Sequence, residues 1–195
     1  MHQEPKYKFS PIDSILLVVD PQIAFGKIVP VPHIDNALEK VKSAISAWKG
    51  KGGRVYITRH VFSSPDEVGR VSDFIPKIGE ILTEDSPYSK FYDGIEGDVI
   101  VNKTRFNALV GTSLERDLKS KNIKTVVVCG FTTPICVQGT VDGLAMADFQ
   151  VVLLNDACAS QPFGNLSAEA AHDTAIERMK YLFANVIDTE EFIKN

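Results

Sequence analysis

Short apolar runs alternate with helix-patterned segments along this chain, and that order constrains the fold more than any other feature. Ile15-Leu16-Leu17-Val18-Val19-Asp20 is a continuous apolar run ending in a carboxylate. It reads as a strand buried on both faces, because a strand with one wet face alternates apolar and polar side chains. Apolar residues at 34, 37, 38, 41, 44, 45 and 48 then follow with helical spacing, and Gly50, Gly52 and Gly53 stop that helix. Arg54–His60 reads as the second strand, Asp98–Val101 as the third, Thr125–Cys129 as the fourth, Gln150–Leu154 as the fifth and Asn185–Ile187 as a short sixth. Helices are expected over Thr112–Lys121 (Thr112 or Ser113 near its N-cap), Cys136–Asp148 and Ser167–Phe183 (Ser167 as cap). Residues 61–97 carry Pro65, Pro76 and Pro87 and scattered glycines. They read as loops and short helices, and a long loop in a compact domain is often functional. The alternation predicts an α/β fold with a parallel sheet covered on both faces. Residues 1–12 read as an N-terminal tail and 13–195 as a single domain.

Charge and composition exclude several classes of function. The chain has 195 residues, a net charge of −4 and a pI near 5.6. No basic cluster is present, so nucleic acid is not an expected partner. Met1 to Ser10 lack the apolar stretch of a signal peptide. No run approaches the roughly 18 apolar residues of a membrane span. The three cysteines, Cys129, Cys136 and Cys158, read as reduced thiols in a cytoplasmic compartment, with non-classical export left open.

Reactive side chains fall at strand ends. Sites in parallel sheets lie beyond the carboxyl ends of the strands, where strand order reverses. Asp20 ends the first strand, Lys103 follows the third and Cys136 follows the fourth. The stretch Val126-Val127-Val128-Cys129-Gly130-Phe131-Thr132-Thr133-Pro134-Ile135-Cys136-Val137 places that cysteine where the next helix should begin. A helix N-terminus and a nearby ammonium both favour a thiolate. The three groups form a coherent set of nucleophile, proton carrier and cation. Singly, each has an ordinary explanation: core thiol, turn-capping carboxylate, solvated lysine. Cys129 and Cys158 fit the core explanation as they stand. The conjunction at matching strand ends is what favours chemistry.

The same residues resemble a known family, the isochorismatase-like cysteine hydrolases, which includes nicotinamidases, N-carbamoylsarcosine and ureidoacrylate amidohydrolases and isochorismatases. Leu17-Val18-Val19-Asp20-Pro21-Gln22-Ile23-Ala24-Phe25 is similar to its aspartate block, Lys103-Thr104-Arg105-Phe106-Asn107-Ala108-Leu109 to its lysine block, and Cys129 to Thr140 to its cysteine block. Asn155-Asp156-Ala157-Cys158-Ala159 resembles the turn after strand five. The resemblance implies a three-layer α/β/α fold with a six-stranded, mostly parallel sheet, and a triad of Asp20, Lys103 and Cys136. It implies a cis peptide between Phe131 and Thr132, with the Thr132 and Cys136 N–H groups as oxyanion hole. Pro134 departs from the commoner pattern.

Nicotinamidases of this family bind a divalent metal through an aspartate-x-histidine pair and a later histidine. Here His60 and Phe62 occupy the paired positions and residues 61–97 hold no histidine. No metal and no other cofactor is therefore expected. His60 is either a satisfied strand-end residue or a hydrogen bonder in the substrate pocket. His33 reads as a cap or rim residue and His172 as structural. Phe25, His60, Arg105, Phe131 and Gln161 are the expected substrate-binding residues, with Phe163 a lid from a partner subunit. Arg105 could clamp a substrate carboxylate or make a structural pair.

A chain that retains the cysteine suits hydrolysis of a small amide, ureide or N-carbamoyl compound through a thioester. The alternative is isochorismate hydrolysis with release of pyruvate and Asp20 as proton donor. A scaffold without activity fits less well, because all three triad residues are present. A homodimer or homotetramer is expected from the family, and the small residues Gly139, Gly143, Ala145 and Ala147 suit close helix packing.

Overall fold

β1 (Ser14–Val19) is buried along its whole length, as its unbroken apolar run requires. It lies inside a six-stranded sheet of order β3-β2-β1-β4-β5-β6. The other strands are β2 (Arg54–His60), β3 (Val99–Lys103), β4 (Thr125–Phe131), β5 (Gln150–Ala159) and β6 (Asn185–Ile187). Every neighbouring pair is parallel, and helices cover both sides. The structure is a computed structural model that describes residues 5–195; residues 1–4 of the expected tail lie outside the described residues.

Seven α-helices, three of them six residues or shorter, accompany the strands: α1 (Ala24–Lys27), α2 (Ile34–Gly50), α3 (Ile78–Ile81), α4 (Leu114–Ser120), α5 (Gln138–Met146), α6 (Ala168–Leu182) and α7 (Thr189–Lys194); short 3-10 turns lie between β2 and β3. α2 buries Ile34, Ala37, Leu38, Val41, Ala44, Ile45 and Trp48, the stripe its periodicity predicts. Trp48 closes the helix by donating its indole N–H to the Arg54 carbonyl at 3.0 Å. The Ser167 hydroxyl caps α6, accepting from the Ala170 N–H at 3.1 Å. Among the described residues no helix is long and apolar enough to cross a membrane.

Several boundaries differ from those read in the sequence. β3 includes Lys103 and β4 continues to Phe131. β5 runs on through Asn155 and Asp156, which read as a turn. Asp156 fits a strand because its carboxylate accepts from the N–H and hydroxyl of Thr189 at 2.7 Å each, and meets Lys40 at 3.1 Å. The helix expected from Cys136 starts at Gln138, after a five-residue π turn over Thr133–Val137. The Val137 N–H there reaches back to the Thr132 carbonyl at 3.2 Å. α7 was hidden by its shortness. Its Phe192 stacks on Phe9 with ring centres 5.4 Å apart, and Phe9 sits 6.2 Å from Trp48.

At Gly130 the close approach of β4 to β1 admits no side chain. A Cβ there would lie 2.1 Å from the Val19 carbonyl oxygen, and φ is +121°. The β4–β5 register shifts at the same place.

Candidate active site

Chain order reverses between β1 and β4, and the residues that follow those two strands meet there. Asp20 follows β1 in a left-handed conformation, φ +45°, and is fully buried. Its Oδ1 accepts from the Thr58 hydroxyl at 2.6 Å, and the Asp20 backbone N–H donates to that Thr58 Oγ1 at 3.0 Å. Its Oδ2 lies 2.7 Å from Lys103 Nζ. That contact is an ion pair without a well-aligned hydrogen bond, so Oδ2 keeps a lone pair for another donor.

Lys103 ends β3, two strands from β1, a separation of about 10 Å. A long side chain is needed to cross it. The ammonium also donates to the Arg105 and Phe106 carbonyls at 3.0 and 3.3 Å and lies 3.5 Å from Cys136 Sγ. Burial opposes its charge, but the Asp20 carboxylate and Cys136 outweigh that and hold its pKa above the usual value. The loop that carries these carbonyls is pinned to α5, where Thr140 Oγ1 accepts from the Ala108 N–H at 3.1 Å.

Cys136 sits in the π turn, 3% exposed. The thiolate expected from a helix N-terminus is not its resting form. Burial pushes the thiol up to about 12, which the Lys103 charge only partly offsets and Asp20 reinforces. Cys136 therefore rests protonated beside the Asp20–Lys103 ion pair. Cys129 and Cys158 are free and buried, with pKa values raised chiefly by burial. The peptide bond between Phe131 and Thr132 is cis.

A cavity of about 320 Å³ opens on Cys136 and Thr132. Phe25, Ile28, Ile75, Ile78, Phe106 and Ile135 form much of its wall, and His60, Thr132 and Gln161 are polar residues in it beside Cys136. His60 is 2% exposed, and its Nε2 has no hydrogen-bond partner. Burial, and then the Lys103 charge, lower its pKa to about 4, so the ring is neutral. Phe131 is wholly buried at the end of β4 and does not line the cavity. Arg105 does not line it either: its Nη1 donates to the Glu67 and Thr104 carbonyls, each at 2.7 Å. Phe163 stands half exposed beyond the cavity. His33 occupies the position before α2 without a side-chain cap bond. His172 bridges Thr133 Oγ1, at 2.9 Å, and Asn155 Oδ1, at 3.1 Å.

Two contributors carried no role in the sequence reading. Gln22 is buried and links three segments: its amide donates to the His60 and Ser89 carbonyls at 3.0 and 3.3 Å and accepts from the His60 N–H at 2.8 Å. Its place between Asp20 and Phe25 in the first block was the available signal. The second is the wall from 75 to 82, where Ile75, Ile78, Ile81 and Leu82 recur at helical spacing inside a stretch read as irregular.

A donor atom from each of Asp20, His60 and Cys136 lies within 4.8 Å of the other two. Three such donors are the minimum for a zinc centre. They do not fit a resident metal, because Asp20 already holds the Lys103 ammonium at 2.7 Å and a cation would lie against that charge.

A family profile described as Isochorismatase domain matches residues 14–191. The chain belongs to the isochorismatase family. Nicotinamidase 3 of Arabidopsis thaliana is 25% identical over 181 residues, covering 90% of this chain and 85% of that one. N-carbamoylsarcosine amidase of an Arthrobacter species is 28% identical over 129 residues, covering 63% of this chain and 49% of that one. The crystal structure of a cysteine hydrolase from Pseudomonas syringae pv. phaseolicola 1448A superposes with a TM-score of 0.90 at 23% identity, covering 98% and 96% of the two chains. The chain thus shares the fold of isochorismatase-family hydrolases, and its Asp20, Lys103 and Cys136 stand together as the family motif implies.

Proposed function

We propose that this protein hydrolyses the C–N bond of a small amide, ureide or N-carbamoyl compound through a Cys136 thioester. The carrying observation is the ion pair of Asp20 and Lys103 set against a protonated thiol, with Lys103 Nζ 2.7 Å from Asp20 Oδ2 and 3.5 Å from Cys136 Sγ. Asp20 takes the thiol proton. The negative charge moves from carboxylate to sulfur, yet both positions adjoin the same ammonium. That lowers the cost of forming a thiolate in a buried place.

The sulfur then attacks the substrate carbonyl carbon, and the Thr132 and Cys136 N–H groups receive the oxyanion. Asp20 returns its proton to the nitrogen as the C–N bond breaks and the amine or ammonia leaves. Water attacks the thioester and gives a proton to Asp20. The acid departs, and the proton returns to Cys136. No step uses a metal.

The test is a panel of amides, ureides and N-carbamoyl compounds with isochorismate beside them, read by ammonia and pyruvate release. Ammonia release from wild type that is lost in both Cys136→Ala and Asp20→Asn supports the reading. Pyruvate release that survives Cys136→Ala and is lost in Asp20→Asn overturns it.

A further inference from the structure

The wall of the cavity at Cys136 says what kind of compound fits. At about 320 Å³ it lies at the small end of ligand cavities. Phe25, Ile28, Ile75, Ile78, Phe106 and Ile135 present hydrocarbon, and no charged side chain belongs to the lining. Lys103 lies behind the lining, paired with Asp20. Arg105 is close enough for its charge to reach His60, but its Nη1 is bonded to backbone carbonyls. A carboxylate entering this space would be desolvated without a partner, which is among the costliest burials a ligand can make.

Two polar atoms in this wall are buried and without a partner, His60 Nε2 and Gln161 Oε1. The Thr104 backbone hydrogen-bonds the His60 ring in the sense that favours an N–H donor there. With the ring neutral, Nε2 is left as an acceptor. Both orphan atoms therefore call for donors from the ligand. The His60 ring has a nitrogen within 4.8 Å of Cys136 Sγ, so the donor belongs beside the reacting carbon.

We propose that the substrate is an uncharged primary carboxamide with a compact aliphatic or aromatic body, its NH2 directed at His60 Nε2 and Gln161 Oε1 and its body held by the isoleucine and phenylalanine wall. The reaction rests on the hydrolase reading above; the binding preference does not. Isochorismate, with two carboxylates, has no counter-charge in this wall, and N-carbamoyl acids meet the same obstacle.

The experiment uses benzamide and 2-methylpropanamide, succinamic acid and N-carbamoylglycine as carboxylate-bearing counterparts, and N,N-dimethylbenzamide as an amide without N–H. Turnover is read as product release by wild type, and binding as the shift in melting temperature of Cys136→Ala. The neutral primary amides should exceed the carboxylate compounds in kcat/KM by about a hundredfold or more. They should also stabilise Cys136→Ala where the dimethyl analogue does not. His60→Phe should abolish the preference for benzamide over its dimethyl analogue, and His60→Gln, which restores an acceptor, should recover part of it.

Carboxylate compounds that bind or react as well as the neutral amides overturn the proposal, as does full discrimination retained in folded His60→Phe. So does the failure of every neutral amide to stabilise Cys136→Ala. If benzamide stabilises Cys136→Ala selectively but wild type releases no ammonia, the hydrolase reading falls and this assignment stands.

Discussion

His60 and Cys136 are both held in uncharged forms by burial, and each makes a prediction. Unfolded, a histidine takes up its proton near pH 6.5; in the fold His60 resists until about 4. The unfolded chain therefore binds more protons between those values. The His60 contribution is complete above pH 6.5 and is lost as pH falls toward 4, by about 3 kcal/mol. The melting temperature should fall over that window, and His60→Gln should flatten the fall. An unchanged acid profile in His60→Gln refutes the assignment. With its pKa near 12, the Cys136 thiol should react with iodoacetamide at a rate still climbing at about pH 9. Alkylation mapped by mass spectrometry checks this, and a plateau near neutral pH contradicts it. Cys136→Ala and Lys103→Met should each lower hydrolysis by at least ~10³, because the nucleophile and the cation that stabilises it act as a unit.

At the scale of elements, the site depends on how the ends of β1, β2 and β4 are tied. Gln22 bonds the end of β2 to the loop carrying Ser89. Gln22→Leu leaves the His60 N–H buried without a partner and should cost about 2–4 kcal/mol. Chemical denaturation measures this, and a loss under about 0.5 kcal/mol would remove Gln22 from the account. Gly130→Ala is a harsher change, since a methyl group cannot stand 2.1 Å from the Val19 carbonyl oxygen. Either β4 parts from β1 or the chain does not fold, and soluble, native-like Gly130→Ala protein would contradict the packing. The core strands could be read from their apolar runs, because a strand buried on both faces leaves no polar position. The far end of β5 could not. Asn155 and Asp156 look like turn residues until α6 supplies His172 to the one and α7 supplies Thr189 to the other, and both partners come from distant sequence.

At the scale of the whole molecule, the main core cluster joins the sheet, the helices and the segment ahead of β1. Phe9 lies in that segment and packs against both Trp48 and Phe192. Phe9→Ala should therefore lower stability by about 1–3 kcal/mol. Thermal unfolding reads this directly, and an unchanged midpoint would show that the segment carries no weight. A second, smaller cluster of Ala24, Phe62, Val68, Ile78 and Leu82 supports the cavity wall. Apart from Ala24 of α1, it assembles from the stretch between β2 and β3, where the helical spacing of Ile75, Ile78, Ile81 and Leu82 is too short a run to stand out among prolines and glycines.

Alternating elements and the places of Asp20, Lys103 and Cys136 followed from sequence alone, because apolar periodicity is local and a parallel sheet gathers its strand ends on one edge. Tertiary structure decided the rest. It left Cys136 a thiol and His60 a neutral ring, bonded Arg105 to two carbonyls, and walled the cavity with hydrocarbon from the 75–82 segment. Those outcomes depend on which distant groups exclude water from one another, and burial of that kind is a property of the packed chain, not of any short stretch of it.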